Sequence, residues 1–527
     1  MTRRLAGLPL ALALAFVAAF VVVPLLAMFG ATLWVDGRLS LASFGELMAT
    51  PADREQMLRT LALGVTATAI AVVCGAGHAW LCHRSDLPGA RLLGPLGIAP
   101  LVIPPILVAM GFADLADVAG FWACAALLGV AYAPFVAVLT ARGLAAIDGR
   151  LYEAALLARG RARAEGLLLR LCTPEIMAGA LLAFVFVIGE HGVPEFLTVK
   201  GKTWHTYAEG VFARWTRRNV GLDPLEVHAP IIASLPLVLL VTVALALALR
   251  LRARTTMAGD LQPLPIRPLG AWRWPALGLP LGYLAAGVGV PVAVMARWAM
   301  GSTQRNEPMS LAKFGQHTLL AFEQAGGDLT RTILLGLSAA LLAVRAGVPL
   351  ARAAARGRRW VEPLAVLSLT VPAVLLAIGL IKLCNRPAFG GFYDSAALVA
   401  CAYAARFLPF VVLPLAQQVR RVPRELLEAG SLSPRTPAMR VLRLELPLLA
   451  PAIWSAACLV FVLGLRELDL AVVLPGGNGT VVRRLSNVVH FGGEDVGGAL
   501  ALLLLAAALL VPALVVLATG RRLEKLS

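Results

Sequence analysis

The feature that most constrains this chain is the length and spacing of its apolar runs. Twelve stretches are long and nearly free of charge: 5–29, 58–82, 92–116, 121–141, 173–189, 227–249, 274–296, 331–350, 361–383, 396–418, 447–474 and 497–519. A helix rising 1.5 Å per residue needs about 20 apolar residues to cross a ~30 Å hydrocarbon core. Backbone groups inside a bilayer must be paired within the segment, so runs of this kind predict helices. The expected class is an all-α polytopic membrane protein of about twelve transmembrane helices. Composition agrees, with 59% of 527 residues hydrophobic and 15% charged, whereas soluble chains carry about 25% charged residues. MTRR followed by an apolar run to Phe29 looks like a signal peptide, but the run exceeds the ~7–15 residues of a cleaved signal core. It reads as a retained first span. Arg345 is the charge that most burdens a span. A central Arg costs about 2.5–3.5 kcal/mol and each Leu, Ile or Val returns about 0.3–0.6, so the aliphatic residues between Ile333 and Leu350 offset it.

A net charge of +17 would suggest a nucleic-acid partner for a soluble protein. Placement of the charges argues otherwise. With the N-terminus inside, the connections on that side carry more than twice as many Lys and Arg as those outside, which is the pattern of loops retained in the cytoplasm. Both termini are therefore expected to be cytoplasmic, with the lipid bilayer as the partner and no nucleic acid. The seven cysteines are scattered, without a CxxC pair, and read as small buried residues. The histidines show no paired spacing, so no metal site is expected.

The chain also repeats itself. LASFG at 41–45 returns as LAKFG at 311–315, Arg59-Thr60 as Arg331-Thr332, Pro134-Phe135 as Pro409-Phe410, and FVFVIG at 184–189 as LVFVLG at 459–464. These offsets predict two halves, 1–255 and 274–527, joined by a basic linker at 256–273. Six spans lie between equivalent residues, so the halves share one membrane orientation, with a pathway expected between them.

The connection after the fourth span of each half is that half's longest cytoplasmic loop. In the first, Asp148 can cap a helix and Gly160 can end it in a left-handed turn. In the second, Pro423 suits a first helical turn. Glu153 and Glu428 lie early enough to meet a helix N-terminal dipole. Glu153-Ala154-Ala155, followed by Gly160 and Pro174, resembles the EAA loop of ATP-binding-cassette (ABC) importer permeases. Glu428-Ala429-Gly430, followed by Leu446-Pro447, resembles a second copy, with Gly430 for the second alanine and Pro434 in place of the glycine. GEHGVPEFL at 189–197 and the segment 466–492 are similar to parts of the fused twelve-span permeases of the ferric-iron and thiamine importer group.

The resemblance implies a type I ABC importer permease fold in two homologous six-helix halves, in a bacterial inner membrane. It implies that each EAA loop forms a coupling helix seated in a groove of an ATPase subunit, two copies in all, with a periplasmic solute-binding protein outside. Small residues such as Ala154, Ala155, Ala429 and Gly430 would let the backbones approach. ATP would bind the separate ATPase, so this chain needs no cofactor and is not an enzyme. The implied cargo is a small solute, ferric iron first and thiamine second, then other anions or polyamines.

Gly201-Lys202-Thr203 resembles the end of a phosphate-binding loop, but Phe196 stands where the motif needs glycine. Gly75-Ala-Gly77 lies in a span, where close helix packing explains it better than dinucleotide binding. Glu190, His191 and Glu195 end the fifth span, while Arg466, Glu467 and Asp469 hold the equivalent place in the eleventh. They read either as a gate where substrate enters or as local ion pairs, with Arg406 as one possible partner. Arg345 and Lys382 read as packing or snorkelling residues. The rival class is a twelve-span secondary transporter driven by an ion gradient. Its characteristic loop between the second and third spans is replaced here by CHRSDLPGAR. A membrane scaffold that transports nothing is a more remote rival.

Overall fold

The computed structural model describes residues 2–35, 38–39, 51–199, 204–217, 231–252, 262–301, 308–422, 439, 441–475, 479–491 and 493–523. Within them nine helices are long and apolar enough to cross a membrane, and three bent helix pairs bring the total to twelve if each pair is one span. Each of the twelve predicted runs overlaps one of these elements. The eleventh, expected to reach 474, ends as a helix at Leu465, ahead of the charges at 466–469, and 227–230 of the sixth lie outside the described residues. Several helices outlast the apolar core, as with Pro51–Arg84 and Leu311–Ala355.

Three predicted spans are not straight, two of them bent near a right angle. The runs at 92–116 and 361–383 each fold into two short helices, bent by 93° and 97°. The residue before each proline explains the break. Ile103 and Val371 precede Pro104 and Pro372, and both are extended, with ψ of 124° and 130°, because a following proline disfavours the helical conformation. At the third bent pair Leu408, before Pro409, stays helical and the bend is only 47°. The inner arms Pro105–Ala116 and Ala373–Cys384 have twelve residues each, about 18 Å of helix, which is too short to span. They are buried on nearly every side from Pro105 to Gly111 and from Ala373 to Leu380, as an all-round apolar helix requires.

The first span absorbs its proline differently. A wide π-turn at Ala18–Val22 precedes Pro24, and another at Ala285–Gly289 precedes Pro291 in the seventh span. The extra residue relieves the clash between the proline ring and the carbonyl one turn back.

Packing divides the chain into two compact units that cross the sequence halves. One holds Met1–Leu41 with Thr318–Asn487 and Leu500–Ser527, and the other holds Ala42–His317 with Val488–Ala499. The first span therefore packs within the later half's unit. A methyl group on Gly379 would stand 2.9 Å from the Pro24 carbonyl oxygen. The seventh span, in turn, packs within the earlier half's unit. There a methyl on Gly111 would stand 3.2 Å from the Pro291 Cα, and the Tyr283 hydroxyl donates to the Gly97 carbonyl at 2.8 Å.

Glycines set the tightest helix contacts. Gly75 faces the Ala133 and Val136 backbone region and Gly129 lies against Ala67 and Ile70, so the second and fourth spans touch almost backbone to backbone. Gly77 packs against Leu279. This accounts for Gly75-Ala-Gly77 by packing, as expected.

Another glycine pair corrects the repeat register. Gly64 abuts Phe184 and Ile188, while Gly336 abuts Phe461 and Leu465. Phe184 thus corresponds to Phe461, two places beyond the alignment of FVFVIG with LVFVLG. Alternating aromatic and aliphatic residues make both registers look alike in sequence, and the glycine contacts choose between them. The corrected register makes Glu190 the counterpart of Glu467. The cysteines are all free thiols, with Cys82, Cys124, Cys172 and Cys384 buried.

Candidate coupling loop and charged clusters

The loop after the fourth span contains one helix, Gly149–Arg159. The Asp148 carboxylate accepts from the Arg150 N–H at 3.0 Å, giving the expected N-cap. Gly160 ends the helix with φ +74° and ψ 170°. The φ is left-handed as expected, but ψ is extended, a combination essentially confined to glycine. Glu153 is in the second turn, and the first turn contains no acid. It is therefore too far along for the dipole contact expected of it, which fades within one turn.

Eleven residues form a helix below the ~12–15 that are marginal in water, so this one depends on its anchor. Tyr152 is buried in a cluster with Leu144, Ile147, Leu168 and Cys172, and Ala155 packs against that cluster too. The opposite face shows Glu153, Ala154 and Leu157 to the surroundings, Leu157 being 89% exposed. Ala154 is thus on the open face, whereas Ala155 turns inward.

Beneath the helix lies a group that the sequence reading did not single out. Arg84, at the end of the second span, is almost fully buried. Its guanidinium sits 4.4 Å from the centre of the Tyr152 ring, 3.4 Å from the Glu165 carboxylate, and donates to the Pro265 carbonyl. The Tyr152 hydroxyl donates to the same Glu165 oxygen at 2.9 Å. Burial first, then this hydrogen bond, pushes the Tyr152 phenol above its usual range, so it remains a donor at neutral pH. Pro265 belongs to the segment joining the halves. Of the expected linker, 256–261 lies outside the described residues. The rest contacts this loop repeatedly: the Gly149 N–H donates to the Gln262 carbonyl at 2.9 Å, and Leu264 packs on the Tyr152 cluster. The one visible signal was an arginine closing an apolar run, and its partner is 181 residues away.

Glu428, Ala429 and Gly430, with Pro423 and Pro434, lie outside the described residues, as do Gly201-Lys202-Thr203. The flanks of the second loop are described. Arg352, near the end of the Leu311–Ala355 helix, pairs with Glu445 through two contacts of 2.7 and 3.0 Å. Arg420 bonds Glu362 at 2.6 Å and the Ala354 carbonyl at 3.3 Å.

The charges proposed for the gate fall in two separate groups, one in each unit. In one, the Tyr132 hydroxyl donates to Glu190 at 2.6 Å, His191 is buried, and the Glu195 N–H donates to the His191 carbonyl at 2.9 Å. In the other, Arg406 and Glu467 approach to 3.7 Å, each with a side chain about 10% exposed. Arg406 also donates to the Val371 carbonyl at 3.3 Å, the residue at which the ninth span breaks. A charged side chain thus satisfies a backbone group that the break had freed. Arg466 and Asp469 are buried beside this pair. Arg345 is exposed on its helix.

The profile of the family described as "Binding-protein-dependent transport system inner membrane component" matches residues 72–256 and again 333–525. The chain belongs to that family. It is a fused permease of the ABC class, with both copies of the family fold in one polypeptide, and its all-α polytopic architecture is that of type I permeases. An "Fe(3+)-transport system permease protein FbpB 2" of Haemophilus influenzae is 23% identical over 81% of this chain and 83% of its own length. A "Molybdenum transport system permease protein ModB" of Mycobacterium tuberculosis is 29% identical over 39% of this chain and 78% of its own. A "Trehalose transport system permease protein SugB" from the same species is 28% identical over 32% and 61%. Both matched stretches of the permease family include the long loop after the fourth span of their half. Both begin within the second span of that half, leaving out the span that packs across the halves.

Proposed function

We propose that this chain is the membrane-spanning subunit of an ATP-driven, binding-protein-dependent importer, which carries ferric iron or, failing that, thiamine across the inner membrane. The observation that carries this reading is the anchored loop helix inside a twice-matched permease sequence. Tyr152 holds one face down, while Glu153, Ala154 and Leu157 present the other. An amphipathic helix offered in this way suits a groove on a partner. The partner is an ATPase subunit, two copies per chain, which binds the ATP; a periplasmic binding protein delivers the solute. Closure of the ATPases would rock the membrane units between inward-open and outward-open states. The excess of Lys and Arg on the loop side supports cytoplasmic termini. Coverage of most of an iron permease relative supports iron as the first substrate.

The test is reconstitution of the chain with its ATPase and binding protein in proteoliposomes, followed by uptake of radioactive ferric iron. Uptake that requires ATP and survives an ionophore supports the proposal. Uptake that collapses with the ionophore and ignores ATP would establish gradient-driven transport instead.

A further inference from the structure

Three stretches close on the Arg84 guanidinium at the end of the second span: the loop helix through Tyr152, the following helix through Glu165, and the joining segment through Pro265. The joining segment is pinned at both ends. At one end Gln262 donates to Asp148 at 3.3 Å and accepts from Gly149 at 2.9 Å. At the other, the Arg267 N–H donates to the Arg84 carbonyl at 2.7 Å, the Asp86 N–H donates to the Arg267 carbonyl at 3.1 Å, and the Leu269 N–H donates to the Asp86 carboxylate at 2.7 Å. Pro263, Pro265 and Pro268 keep this stretch from turning helical. Gly149 has no room for a side chain, since a methyl there would stand 2.5 Å from the Pro263 carbonyl oxygen.

We propose that residues 262–269 are a strap locking the loop helix to the second span, and that Arg84 is the positioning residue through which displacement of that helix enters the membrane. This rests on the loop helix being the ATPase dock. A buried guanidinium that loses its acceptors is strongly unfavourable, so the helix cannot tilt away from the second span without carrying it along. That span in turn lies backbone to backbone with the fourth, at Gly75 and Gly129. The motion therefore passes to a packed pair and is not taken up by a flexible loop. The unit that holds Thr318–Asn487 has a clamp of the same kind. Arg352, near the end of the Leu311–Ala355 helix, grips Glu445 in the segment that follows the second loop. The joining segment is thus a working part of the first docking platform as well as a tether between halves.

The test uses the full chain reconstituted with its ATPase and binding protein, comparing wild type, Arg84→Met, Arg84→Lys and Gly149→Val. The readout is ATP hydrolysed per solute imported, with retention of the ATPase on a sizing column measured alongside. Arg84→Met and Gly149→Val should retain the ATPase and raise ATP spent per solute about tenfold, within the range of allosteric coupling terms. Arg84→Lys should fall between, because an ammonium reaches one acceptor but cannot fork. Uptake and hydrolysis falling in proportion, or an unchanged ratio, would show Arg84 to be structural only and overturn the strap. Should Arg84→Met fail to purify, Gly149→Val decides, since it displaces the strap and leaves the buried charges intact. A wild-type chain that holds no ATPase overturns the docking reading and the strap together.

Discussion

Glu209 shows how one side chain sets a pH response. Thr206 and Glu209 form a capping box at the start of the Tyr207–Arg217 helix. The Glu209 carboxylate accepts from the Thr206 N–H at 2.6 Å, and the Thr206 hydroxyl accepts from the Glu209 N–H at 3.3 Å. Burial raises the Glu209 carboxyl above its ordinary range, partly offset by Thr206 and by His205 at 3.5 Å. The folded chain therefore holds this proton more tightly than the unfolded one. The resulting stability is complete below the unfolded carboxyl pKa and is lost as pH rises through the raised folded value. Thermal midpoints in detergent should carry this decline as pH rises above the ordinary carboxyl value of about 4, and Glu209→Gln should flatten it while keeping the cap. An unchanged slope in that variant would assign the decline to other groups. At the loop, reversing charge with Glu153→Arg and Glu428→Arg together should cut ATP-linked uptake by about tenfold or more while the purified chain stays monodisperse, as like charges at a docking face dictate. Wild-type uptake in the double variant would remove both residues from docking. Asp148 and Gly160 were legible as the ends of a helix. Arg84 was not, because its burial depends on Pro265 and Tyr152, and no local pattern announces partners that far apart.

At the scale of elements, hydropathy located every span but could not give its direction. A run of 25 apolar residues reads the same whether straight or folded back, so the breaks at Ile103 and Val371 had to come from the extended backbone before proline. The proline was visible; whether its neighbour stayed helical, as Leu408 does, depended on what each arm packs against. The glycines allow a graded test. Gly379→Ala places a methyl 2.9 Å from the Pro24 carbonyl oxygen, backbone that cannot easily yield, whereas Gly111→Ala meets Pro291 at 3.2 Å. Overpacking of this kind costs about 1–3 kcal/mol. The thermal midpoint should fall clearly for Gly379→Ala and less for Gly111→Ala, and the reverse order would show that the first span does not seat on Gly379 as described.

At the scale of the molecule, the internal repeat was legible in paired motifs, while the exchange of first spans was not, because a repeat records similarity and says nothing of which copy a helix packs in. The exchange predicts that 1–255 and 256–527, expressed as separate chains, stay in the membrane as a stable pair only when made together. Pull-down of a tag on either piece should recover its counterpart, and a piece that is equally stable alone would contradict the exchange. There is also a consequence in time. Pro24 is made 355 residues before Gly379, its seat. At about 5–20 residues per second, the first span waits roughly 18–70 seconds for its packing partner. Throughout that interval Gly379 has not been made, so the span must be stable without its seat. The run from 5 to 29 carries no charged residue, so a helix there has no group that hydrocarbon would penalise while it stands unpartnered.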